Sequence, residues 1–106
     1  MPNSINPRAK GTLPVAILSD AEAGFRAPEH VASETLRFGR SGDEASLSFC
    51  NLRGEDVNGD GALDLVCHFT RRLTGFEPDS AEGTLRGQTI WGKAILGTAP
   101  VRIVGP

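Results

Sequence analysis

Oxygen-bearing side chains fall at even spacings in Asp56-Val-Asn-Gly-Asp-Gly-Ala-Leu-Asp64, where Asp56, Asn58, Asp60 and Asp64 surround Gly59 and Gly61. Three carboxylates this close in sequence repel one another in water unless a cation lies between them. Glycines permit the tight, partly left-handed path that turns alternate side chains toward one point. A short loop wraps hard oxygen ligands around a calcium ion in this way.

With Asp56 as position one, Asn58 is three, Asp60 five, the Ala62 carbonyl seven and Asp64 nine. The pattern matches the front of an EF-hand loop, including glycine at position six. Position twelve is Cys67, where an EF-hand needs a bidentate glutamate, and neither flank reads as a helix. The loop therefore fits a calcium site carried on a β-hairpin. Asn58-Gly-Asp-Gly61 on its own is also a good type I′ turn. That alternative explains Asn58 to Gly61 but not why Asp56 and Asp64 fall in phase. A flexible five-ligand cage suits calcium better than magnesium.

Other candidates carry less chemistry. Glu77, Asp79 and Glu82 gather three further acids and could form a second metal site or complete the first; the plainer reading is a solvated loop. His30 and His68 lack partners at zinc spacing. No serine lies in a Gly-x-Ser-x-Gly turn and no nucleophile–base set is visible, so no catalytic residue is assigned and the chain is not read as an enzyme. Trp91, at a turn in Ile90-Trp-Gly-Lys93, is a candidate contact for a partner or a sugar, against packing over the end of a sheet.

Cys50 and Cys67 flank the acidic loop, and an even count permits one disulfide. In a simple hairpin turning at the loop, Cys67 would face about Arg53 rather than Cys50. A bulge or bend near Gly54 would be needed to bring the sulfurs together. Two buried thiols are the alternative.

The elements that must carry these residues repeat with period two. Leu13–Leu18 reads as a strand buried on both faces, and Thr35–Phe38 alternates up to Gly39. Ala45–Phe49 places Leu47 and Phe49 on one face. After the loop, Leu65, Cys67 and Phe69 share one face, with Val66, His68 and Thr70 on the other. Thr84–Ile90 and Val101–Val104 complete the set. Pro28–Leu36 is the one helical candidate, worth a turn or two. Residues 71–83 form the longest loop outside the acidic one. Short strands with turn signals about every ten residues predict an all-β, antiparallel, immunoglobulin-like β-sandwich.

The chain has 106 residues and reads as one domain, 1–106, able to bury a single core. A formal net charge of −2 and no basic run argue against nucleic acid as a partner. No apolar run reaches the roughly 18 residues needed to span a bilayer. The opening residues lack the apolar centre of a secretory signal. A calcium loop suits an environment where the ion is abundant, so the chain is read as a mature or excised piece of an exported protein.

Two stretches also resemble a known family. Pro2-Asn-Ser-Ile-Asn-Pro-Arg-Ala-Lys-Gly-Thr-Leu-Pro-Val-Ala-Ile-Leu18 resembles the opening of a calcium-binding β domain of exported bacterial and archaeal proteins. Asp56-Val-Asn-Gly-Asp-Gly-Ala-Leu-Asp-Leu-Val-Cys-His-Phe69 resembles its calcium hairpin, while Glu82–Thr89 and Val101–Val104 resemble its closing strands. The resemblance implies a secreted, non-catalytic β-sandwich, appended to other domains, repeated in tandem or built into extracellular filaments. Its expected partners are further copies or neighbouring domains, with carbohydrate as the alternative.

Overall fold

Alternating apolar residues build two β-sheets in the computed structural model, which describes residues 3–103. Pro2 and Val104, at the ends of two of the motifs above, lie outside the described residues. The strands are β1 (Asn3–Ile5), β2 (Thr12–Ile17), β3 (Val31–Gly39), β4 (Leu47–Glu55), β5 (Asp64–Thr70), β6 (Glu82–Thr89) and β7 (Ala94–Ile103). A single helical turn, α1 (Ala27–His30), precedes β3, and a 3-10 turn at Arg71–Leu73 follows β5. One sheet has the order β1-β7-β6-β3 and the other β2-β5-β4.

Both sheets contribute to one core. Ile5, Leu36, Phe38, Leu85 and Val101 come from the first sheet, and Leu13, Ile17, Leu65, Cys67 and Phe69 from the second. Phe38 meets Phe69 across the sheets at 5.3 Å between ring centres and Phe76 edge-on at 5.9 Å. Burying each large apolar side chain contributes about 1.5–3 kcal/mol. β5 is the middle strand of its sheet, so even outward-facing Val66 is covered.

Several sequence expectations need correction. Leu13–Leu18 is not buried on both faces: β2 buries Leu13 and Ile17 but exposes Pro14 and Ala16. It is an edge strand, where a proline's missing N–H is tolerated. Pro28–Leu36 is not a helix beyond its first turn, because Val31 begins β3. The β-branched and alternating residues after His30 gain more from pairing with β6 than from one further turn. Leu47 and Phe49 do not share a face. A register shift separates them, so Leu47 opposes Phe69 while Phe49 opposes His68 and stacks on it at 4.4 Å. The pairing is not wholly antiparallel either, since β1 runs parallel to β7.

The β3–β4 connection is tied by Glu44. Its carboxylate accepts from the Ser41 and Gly42 N–H groups at 3.1 and 2.9 Å and from the Ser41 hydroxyl at 2.8 Å. Partial burial alone would raise this carboxyl, but the hydrogen bonds outweigh it and hold the group below its ordinary value.

Cys50 and Cys67 are register partners and form a disulfide, with the sulfurs 2.06 Å apart. Asn51 faces Val66 and Glu55 faces Asp64, so the register shifts between these pairs, and Gly54 within the shift has φ +84°. A bulge at Gly54 thus supplies the offset that a simple hairpin lacked. The bond closes a segment with a sequence separation of 17, which restricts the unfolded chain by about 3 kcal/mol. Reduction is expected to lower the melting temperature by roughly 10–20 °C. Calorimetry with and without reductant checks this, and an unchanged melting point would refute a structural role for the bond.

Candidate metal centre

The connection between β4 and β5 brings Asp56, Asp60 and Asp64 together, with a ligand oxygen of each lying within 4.8 Å of the others. Asp56 and Asp60 are exposed, whereas Asp64 has no exposed surface. The loop therefore presents two carboxylates from the solvent side against one fixed carboxylate beneath.

Local geometry follows from the side-chain types. The Asp56 carboxylate accepts the N–H groups of Gly59 at 2.9 Å, Asp60 at 3.2 Å and Gly61 at 2.9 Å. Asn58 Oδ1 accepts from the Asp60 N–H at 3.4 Å, and Asp60 Oδ1 from the Ala62 N–H at 2.9 Å. Such bonds curl the chain around its own acidic side chains. Gly59 and Gly61 take φ of +75° and +88°, where a β-carbon would add strain. Each carboxylate oxygen keeps further lone-pair capacity for an ion.

Asp64 joins the loop to the body. Its Oδ1 accepts the Ser19 N–H at 2.8 Å and its Oδ2 the Val57 N–H at 3.2 Å. Ser19 donates its hydroxyl to the Leu63 carbonyl at 2.6 Å and accepts the Ala27 N–H at 2.8 Å. Ser19 was not singled out in the sequence, and its link to Asp64 spans 45 residues, so no local pattern could reveal it. Gly54 sits beside the site, where an added β-carbon would come within 2.8 Å of Pro28 and 2.9 Å of Leu63.

Of the predicted ligands, Asp56, Asp60 and Asp64 thus converge, and Asn58 lies in the same turn. The donor set is hard oxygen throughout, and such a cluster could hold a metal ion. Glu77, Asp79 and Glu82 are all exposed. Glu77 pairs with Arg40 at 3.5 Å, and no second acidic trio converges among the described residues. Trp91 is 69 % exposed at the β6–β7 turn and lies 4.8 Å from the His30 ring. His68 lies on the outer face of β5.

No family model, no curated protein and no solved structure matches the chain. No helix among the described residues is long and apolar enough to cross a membrane.

The two kinds of aspartate should behave differently when no cation is added. Asp64→Ala leaves the Ser19 and Val57 N–H groups without their acceptor and is expected to cost about 2–3 kcal/mol. Asp60→Ala removes an exposed side chain and should cost under about 1 kcal/mol. Urea unfolding in chelator compares them, and equal losses would contradict the anchoring role of Asp64.

Proposed function

We propose that the protein is a non-catalytic calcium-binding structural module of an extracellular or cell-surface assembly. The convergence of Asp56, Asp60 and Asp64 on a hairpin carries this reading. Asp56, Asn58, Asp60 and Asp64 supply side-chain oxygens and Ala62 a carbonyl oxygen. A disulfide between Cys50 and Cys67 supports an oxidising location outside the cytoplasm. Two sheets sharing one core support an immunoglobulin-like sandwich, and the motifs quoted above resemble the calcium-binding β domain of exported proteins.

The ion acts by linkage. A cation bound only by the folded state stabilises it by RT ln(1 + [Ca]/Kd), about 2.7 kcal/mol at a hundredfold excess over Kd. One such ion would also move the formal balance of the chain from −2 to 0. The melting temperature is expected to rise on calcium addition, to fall back with chelator, and to lose this response in Asp60→Ala. Persistence of the full calcium shift in Asp60→Ala would defeat the assignment.

A second reading rests on Trp91, whose exposed ring beside His30 offers a stacking surface for a sugar. In that case the domain is a carbohydrate-binding module of a secreted enzyme. It requires retention on an insoluble polysaccharide that Trp91→Ala abolishes; equal elution of both proteins removes it.

A further inference from the structure

The ten-residue strand β7 is paired with different neighbours over different parts of its length. β6 pairs with Ala94–Pro100, but β1 covers only Val101–Ile103 on the other side. The Thr89 N–H donates to the Lys93 carbonyl and the Val101 N–H to the Ala81 carbonyl. With an unbroken register between these points, odd-numbered residues of β7 direct their backbone groups toward β6. Ala94, Leu96 and Thr98 therefore direct theirs outward, with no partner among the described residues.

Three other edges among the described residues are guarded. β2 carries Pro14, β4 has two register shifts with Arg53 and Glu55, and β3 has a shift with Glu34 and Arg37. These are the devices by which edge strands avoid pairing. Among the described residues β1 leaves Ala94-Ile-Leu-Gly-Thr-Ala-Pro100 uncovered; Pro100 has no N–H to offer and ends the open part, and the stretch before it carries no charge and no register shift.

We infer that this edge is a self-association surface at which β7 pairs antiparallel with β7 of a second copy, about a two-fold axis at Leu96. The register follows from three observations. Only even-numbered residues offer free backbone groups, and a centre at Leu96 matches Ala94 with Thr98 of the other copy and Leu96 with itself. Leu96, 68 % exposed, then packs against its own counterpart. On the opposite face, Ile95 falls across from the partner's Gly97. Ile95 is only partly buried, and a β-carbon placed at Gly97 meets nothing within 4 Å, so the space there accepts the isoleucine. Such a contact is isologous and closes at two copies. It extends the proposed assembly role but does not use the calcium loop.

Sedimentation velocity over a concentration series, combined with amide hydrogen exchange, tests it. The expected result is a monomer–dimer equilibrium that persists in chelator and in Asp60→Ala. The Leu96 and Thr98 amides should exchange more slowly as dimer forms. Leu96→Pro removes an outward N–H without touching the β6 ladder and should hold the chain monomeric. Should that variant unfold, Leu96→Lys places like charges opposite each other at the axis and serves the same purpose. A wild-type chain that stays monomeric at millimolar concentration, or a dimer that survives a folded Leu96 variant, would overturn the inference. Neither outcome bears on the calcium-dependent melting shift, which tests the ion separately.

Discussion

Everything at the acidic loop depends on one buried carboxylate. Asp64 begins β5 with no exposed surface, and its two oxygens hold Val57 in the loop and Ser19 just beyond β2. A buried carboxylate is costly unless hydrogen bonds or a cation compensate it. The two N–H donors supply part of that compensation from the chain itself. They also aim the carboxylate at the point where Asp56 and Asp60 arrive from solvent. Ser19 then passes the constraint to Leu63 and to the start of α1, so the site is braced by segments distant in sequence.

The offset at Gly54 is the second requirement, because it reconciles two registers. Cys50 opposite Cys67 and Glu55 opposite Asp64 cannot both hold in a regular antiparallel ladder: four steps along β4, from Asn51 to Glu55, face two along β5. The extra residues are absorbed where Gly54 takes positive φ and packs directly against Pro28 and Leu63. A side chain there would meet both strain and contact. The same bend separates a hairpin base that faces the core from a hairpin tip that faces solvent.

How far the sequence could be read follows from contact range. The convergence of Asp56, Asp60 and Asp64 was legible because the acidic loop is local: its oxygens are placed by turn chemistry within nine residues. The alternation in β5 was equally plain, since one face is core. The need for an offset near Gly54 was also visible, because strand pairing is arithmetic once a turn is fixed. Ser19 and the parallel β1–β7 pair were not legible, since each depends on a partner far along the chain. Val31–Leu36 misled for a related reason. Ala, Glu and Leu favour a helix locally, yet pairing with β6 decides the outcome. Phe49 was lost to a register shift that its own alternation does not announce.

The disulfide and the proposed ion brace overlapping segments but act on different states. The bond between Cys50 and Cys67 removes conformations from the unfolded ensemble, whereas a cation stabilises the folded loop in proportion to its preference for that form. Their effects are not independent. In the oxidised unfolded chain, Asp56, Asp60 and Asp64 stay within one short covalent loop, which lowers the entropy cost of bringing them together. Residual cation binding to the unfolded chain rises accordingly, and binding to the unfolded state subtracts from the linkage term. The joint stabilisation is thus less than the sum of its parts, as expected for neighbouring constraints on one segment. A cation held by Asp56, Asp60 and Asp64 would therefore add less to the stability of the oxidised chain than to that of the reduced one.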